Sequence, residues 1–353
     1  MLKNRKFIFL LLSITCIIFG IICPFILPDR FFYDSWLIVT DPNNEKGLFN
    51  GSYGFTIFYY SITGLSKLPY SIIAIIQLTI LFLIIYIIGI PEKFSQFSIK
   101  NCLIYLSFIM MAIFIGQPSK EFITFILIAI IVYTFECNYF SFGLAILISS
   151  LYFFLFGFLF RPYFSFIPFI SSAIYLITKI RFKNRWIFSI LLGISVIVAL
   201  SLTYKILKGD FLSQVTRENI NELRLNDGDA NADTMIVSPI PITNIFTEAF
   251  ATVYGFITVN FPINALQFFY KPQVIAFVIW QLFMTWIIII RFGYLLQEFP
   301  KRKKELWLMC ILLSYFIIQG IFEPDLGSAI RHKIGILPLI YYLFYYDDFK
   351  RKI

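Results

Sequence analysis

Residues 151–160 read Leu-Tyr-Phe-Phe-Leu-Phe-Gly-Phe-Leu-Phe, ten positions with no polar face. A helix of a water-soluble protein keeps one polar stripe, so this stretch must meet lipid or other helices all round. The rest of the chain follows suit. Of its 353 residues 59% are apolar, 20% aromatic and only 14% charged, and the mean hydropathy is +0.82. Soluble domains carry roughly 25% charged residues, which excludes a soluble enzyme. The longest polar stretch, about 205–238, is too short for an extrinsic domain of about 50 residues or more. The composition predicts an all-α, polytopic integral membrane helical bundle, a single domain over 1–353, with its chemistry in short loops and helix ends.

Apolar segments that could span a bilayer lie at about 7–27, 71–90, 102–116, 122–136, 143–160, 164–178, 186–204, 272–290, 306–322 and 334–346, giving about ten spans and at most twelve. Two further stretches, 53–65 and 243–263, are interrupted by Gly, Pro, Asn or Thr and read as interfacial or re-entrant helices, or as extra spans. Placing the N-terminus in the cytoplasm puts 91–101, 137–142, 179–185, 291–305 and 347–353 there too. Together these segments hold 17 of the 29 Lys and Arg residues. Cytoplasmic loops carry such an excess, so both termini are expected inside. The outer side then receives the loops 28–54, 205–245 and 323–333 and the turns at 117–121 and 161–163.

Those outer segments carry the candidate chemistry. Pro118-Ser119-Lys120-Glu121 opens a span. Pro, Ser and Glu suit a helix start, while Lys120 beside exposed N–H groups suits an anion seat. Arg161-Pro162-Tyr163 follows the apolar decapeptide; Arg161 is either a snorkelling interfacial residue or a planar fork for phosphate. The block Glu323-Pro324-Asp325-Leu326-Gly327-Ser328-Ala329-Ile330-Arg331-His332-Lys333 holds the chain's only His, between two cations. Arg331 is a candidate anion ligand, and His332 a candidate neutral base. In the first outer loop Asp34 stands between Tyr33 and Trp36, carboxylate among aromatics, as in many sugar sites.

Other readings fall away. Asp227, Asp229, Asn231 and Asp233 alternate as in a calcium loop, but the sixth position is Ala232 and the twelfth Ser238, where Gly and Glu belong. Cys16, Cys23, Cys102, Cys137 and Cys310 show no metal-ligand spacing. Nucleotide-binding, hydride-transfer and zinc-protease motifs are missing. No metal, no cofactor and no nucleic acid is expected.

With its outer PSKE and RPY motifs, the late polar loop and the EPDLGSAIRHK block, the chain resembles the Wzy-type O-antigen polymerases, which are polysaccharide repeat-unit polymerases. The resemblance covers nearly the whole chain as architecture. It implies a fold like that of membrane-embedded glycosyltransferases, in the bacterial inner membrane. It also implies an activity: joining undecaprenyl-diphosphate-linked oligosaccharides on the periplasmic face by metal-independent, inverting displacement of the lipid diphosphate. Carried over, Arg161, Arg217 and Arg331 would hold the phosphates, beside Lys120. Arg217 also begins an Arg, ten residues, Gly pattern ending at Gly228. The acceptor hydroxyl needs a base, and Asp34, Glu121, Glu323, Asp325 and His332 all remain candidates. Membrane lipids and a chain-length regulator are the further partners implied. The alternatives are a flippase for the same lipid-linked unit, or a single-step glycosyltransferase using a lipid-linked sugar.

Overall fold

Short polar residues set the helix limits in this apolar chain. Ser98, Ser119 and Ser141 each turn a side-chain oxygen onto the backbone N–H three residues on, so that three apolar runs begin as capped helices. The computed structural model describes residues 2–41, 43–45, 47–49, 51–137, 139–180, 184–226 and 234–350. Regular structure among them is helical, apart from one isolated antiparallel bridge between Met235 and Asp325. The calcium-like run at 227–233 lies outside the described residues.

Where one domain is expected from the sequence, the chain divides into two compact units, 1–162 with 331–353 and 163–330. The first contains α1 (Leu2–Ile26), α2 (Tyr33–Val39), α3 (Gly51–Ile62), α4 (Tyr70–Ile88), α5 (Ile99–Phe114), α6 (Lys120–Glu136) and α7 (Phe142–Leu159). The second contains α8 (Ile167–Ile177), α9 (Arg185–Lys208), α10 (Asn219–Asn226), α11 (Ile245–Asn260), α12 (Pro272–Gln297) and α13 (Lys303–Phe322). The chain leaves the second unit within α14 (Leu326–Gly335), and α15 (Leu337–Phe344) and α16 (Tyr346–Lys350) complete the first.

In the first unit α1 packs along α4 and α5, and α15 along α6. Phe9, Phe82 and Phe108 interlock edge to face, with centroids 5.2–6.2 Å apart. Tyr341 donates to the carbonyl of Gly89 at 2.7 Å, and Tyr345 to Asn101 Oδ1 at 2.5 Å, which fixes the returning C-terminal helices. In the second unit α13 is buried along almost its whole length, between α8, α9 and α11. Gly255 of α11 and Gly320 of α13 let these backbones touch: a Cβ on Gly255 would stand 1.9 Å from the Gly320 carbonyl oxygen.

Six helices among the described residues are long and apolar enough to cross a membrane: Asn4–Ile26 within α1, and α4, α7, α9, α12 and α13. That is fewer than the ten expected. The segments at 102–116, 122–136 and 164–178 fall on helices of 16, 17 and 11 residues, short of the ~20 a straight crossing needs. The segment at 334–346 is split between α14 and α15, at the approach to Pro338. The interrupted stretches at 53–65 and 243–263 fall on the 12-residue α3 and the 16-residue α11.

Candidate functional site

Six of the nine candidate residues converge in the first unit. Pro118 and the Ser119 cap start α6, which puts Lys120 and Glu121 in its first turn. The turn is anchored from behind: Ser119 N donates to the Tyr60 hydroxyl at 3.0 Å, and Gln117 Nε2 to the Gly20 carbonyl at 3.1 Å. Gln77 in turn bonds the Tyr60 hydroxyl. Arg161 arrives from the end of α7 and Asp34 from the first turn of α2; Arg331 and His332 come from α14.

Asp34 Oδ2 pairs with Lys120 Nζ at 3.0 Å and with Arg331 Nη1 at 2.7 Å, and Asp34 Oδ1 accepts from the Tyr53 hydroxyl at 2.5 Å. Lys120 Nζ also lies 3.8 Å from the centre of the Tyr53 ring, a cation–π contact. Glu121, fully buried, takes Arg161 Nη2 at 2.9 Å and His332 Nε2 at 3.2 Å on Oε1, with Arg331 Nε at 3.8 Å. Its Oε2 has no hydrogen-bond partner among the described residues. Because these contacts join the chain after α1, the start of α6 and the end of α7, those three points share one end of the unit. The charge-placement topology puts the same three on one side of a membrane.

The electrostatics follow from burial and pairing. Burial by itself would raise the Asp34 carboxyl, but Arg331 and then Lys120 outweigh it and hold the group at about 2. Glu121 is likewise carried well below the carboxylate range: burial opposes, while Arg331, the His332 hydrogen bond and Arg161 prevail. Burial lowers Lys120 to about 8 against the pull of Asp34. Both carboxylates are thus weak bases, and the proton-accepting role expected for Asp34 or Glu121 does not suit them. Their fitted role is to fix the cations. Lys120, Arg161 and Arg331 against Asp34 and Glu121 leave one positive charge in excess, the condition for an anion seat.

His332 Nε2 lies 3.2 Å from both Glu121 Oε1 and Arg161 Nη2. Arginine only donates and a carboxylate only accepts, so this nitrogen satisfies the carboxylate when it bears hydrogen and the guanidinium when it does not. The same arrangement yields a test of Arg161. Exchanging it for Lys keeps one charge near Glu121 but loses the planar fork. Arg161→Lys is expected to weaken inorganic diphosphate binding about tenfold or more while folding normally; a snorkelling interfacial Arg would tolerate the change, and isothermal titration distinguishes the two.

The three remaining candidates lie in the second unit. Arg217, in the π-helical turn Gln214–Glu218, is fully buried. Its Nη1 donates to the carbonyls of Gly320 at 2.7 Å and Ala251 at 3.3 Å; its Nε and Nη2 donate to Glu218 at 3.1 and 2.9 Å. A guanidinium so committed ties helices together, and the phosphate role expected for it does not suit this position. Asp325 caps α14: it accepts from Ser328 N and Oγ, both at 2.8 Å, and pairs with Arg224 Nη1 at 2.7 Å. Glu323 accepts from Gln319 Nε2 at 3.0 Å.

Sequence reasoning missed Tyr53, which the geometry joins to both Asp34 and Lys120. It stands in the stretch read as an interrupted apolar helix, and the signal available was a single hydroxyl among aromatics. Tyr33 and Trp36 are exposed on α2 with ring centroids 6.3 Å apart.

No family model matches the chain, and neither do any of the curated proteins or solved structures compared with it.

Proposed function

We propose that the chain is a membrane-embedded glycosyltransferase that polymerises oligosaccharide units carried on undecaprenyl diphosphate, at the periplasmic face of a bacterial inner membrane. The observation that carries this reading is the cluster of buried Lys120 and Arg161 with half-buried Arg331, fixed by two carboxylates and left with a surplus positive charge. Displacement at an anomeric carbon breaks the bond to a diphosphate, and the leaving group takes both electrons and the developing negative charge. Preorganised cations lower that barrier most when they sit in a site with little water. The acceptor hydroxyl gives up its proton as the new glycosidic bond forms. His332 is the member of the cluster assigned to receive it, since Asp34 and Glu121 are held too acidic.

The deciding experiment is a gel of surface lipopolysaccharide from cells with the gene deleted and then restored. Loss of the long ladder with the band of core plus one unit retained supports polymerisation. Loss of the single-unit band as well supports the second reading, a flippase for the same lipid-linked unit. The division into two compact units is the observation that favours that reading. An unchanged ladder would refute both.

Lys120 gives this reading a pH signature. As pH rises through about 8, Lys120 loses its charge and the five charged groups become neutral in sum. Inorganic diphosphate affinity is expected to fall several-fold between pH 7 and 9, and Lys120→Arg should remove most of that fall. A flat titration in the parent protein would refute the assignment.

A further inference from the structure

Lys120 rests on a side chain that does not count among the charges of the cluster. Its ammonium carries three hydrogens. Among the described residues Nζ has two partners, Asp34 Oδ2 at 3.0 Å and the ring of Tyr53, whose centre lies 3.8 Å away. The carboxylate takes one hydrogen and the ring covers a second direction, so the third remains for an incoming anion. An ammonium over an aromatic face is held by the ring quadrupole, and that attraction acts on the charged form alone.

Tyr53 is itself held from several sides. It stands in the first turn of α3, where Asn44 Nδ2 donates to the carbonyl of Gly54 at 2.9 Å. A Cβ on Gly54 would stand 2.0 Å from the Gly47 carbonyl oxygen, so the chain before α3 lies directly against that turn. Tyr53 also packs on the cluster of Ile38, Tyr60 and Ile73. Its hydroxyl donates to Asp34 Oδ1 at 2.5 Å. Burial, and then Asp34, push this hydroxyl well above its ordinary value, so it keeps the hydrogen that it gives to Asp34. Asp34 Oδ2 is left to hold Lys120 and Arg331. One side chain thereby fixes a cation and the carboxylate that pairs with it.

We propose that Tyr53 is a positioning residue of the anion seat: its ring keeps Lys120 charged and aimed at the incoming diphosphate, and its hydroxyl fixes Asp34. This role rests on the proposed use of the cluster as a diphosphate seat. The charged groups around Lys120 are Asp34 and Glu121, which favour its charge, and Arg331 and Arg161, which oppose it. Burial outweighs the two carboxylates and brings Lys120 to about 8, so the attraction of the ring acts in the pH range where the charge is lost.

The test titrates inorganic diphosphate into the full chain in nanodiscs, over a pH series that spans the Lys120 value of about 8. Tyr53→Leu removes ring and hydroxyl, and the pH at which affinity falls should move down by about 0.5–1.5 units, the size of a partly desolvated cation–π contact. Tyr53→Phe keeps the ring, and its affinity should fall at the parent's pH or above it. Loss of packing alone would weaken binding equally at every pH and leave that midpoint in place. A Tyr53→Leu midpoint equal to the parent's, or a Tyr53→Phe midpoint lowered with it, overturns the role of Tyr53 while the seat stands. A parent that binds no diphosphate at any pH overturns seat and role together. If Tyr53→Leu does not fold, a trifluorinated phenylalanine in place of Tyr53 keeps the shape of the ring, drains its negative face and should lower the midpoint relative to Tyr53→Phe. No difference between those two would likewise overturn the role.

Discussion

Arg331→Ala is expected to abolish the polysaccharide ladder and to lower the stability of the first unit by about 1–3 kcal/mol, the scale of charge-assisted hydrogen bonds lost from a half-buried pair. Arg331 reaches both carboxylates, Asp34 at 2.7 Å and Glu121 at 3.8 Å. Without it, three cations against two carboxylates become two against two, and Asp34 keeps only Lys120 as a cationic partner. Asp34 would then titrate higher. The sign is fixed by its lowered value of about 2: the stabilisation is present above the ordinary carboxylate range and is lost as pH falls from about 4 towards 2. In Arg331→Ala that acid loss should shrink. Chemical unfolding at pH 7 and pH 3 measures both effects. A variant that unfolds like the parent at both pH values, and still makes the ladder, would remove Arg331 from the site. Arg331→Lys separates the two roles, because restored stability without restored ladder assigns the planar fork to the diphosphate.

Gly255→Val is expected to have the largest effect in the second unit. Its Cβ would stand 1.9 Å from the Gly320 carbonyl oxygen and 2.2 Å from Arg217 Nη1. Neither neighbour can yield without loss. The first is backbone of the almost wholly buried α13, and the second is a guanidinium whose displacement strands a buried charge. Both penalties act together, so a cost above about 4 kcal/mol is expected, a size reserved for such special positions. Gly293→Ala is the control, since nothing lies within 4 Å of a Cβ there; it should be neutral or gain up to about 1 kcal/mol of helix propensity. Fluorescence-detected size exclusion after heating reads both. Equal survival of Gly255→Val and Gly293→Ala would show that α11 and α13 do not meet at Gly255.

The helical class was legible because residues 151–160 and their like leave no alternative to helices without a polar face. The number of crossings was not. Hydropathy registers apolar length, and it does not tell a lipid-facing span from a helix such as α6, whose first turn is buried around Lys120 and Glu121. Much of the site was legible for a related reason. Lys120, Glu121, Arg161 and Arg331 are charges in a chain that has few, and each stands at the edge of an apolar segment. Nothing in the sequence said which of them meet. Arg217 read like the others, yet its donors end on Glu218 and on the carbonyls of Gly320 and Ala251, and its trace in sequence is Gly255, whose missing Cβ makes room for it. Tyr53 was lost among 21 tyrosines.

The unequal tally of cations and carboxylates around α6 makes that end of the unit attractive to small mobile anions. A lone surplus charge among largely buried groups attracts whatever small counter-ion the medium supplies. Substrate must then evict it, which makes chloride, sulfate and phosphate competitors by electroneutrality alone. Apparent affinities will depend on which salt the protein was purified in, and a titration in chloride compared with one in a bulky organic anion should differ even at equal ionic strength.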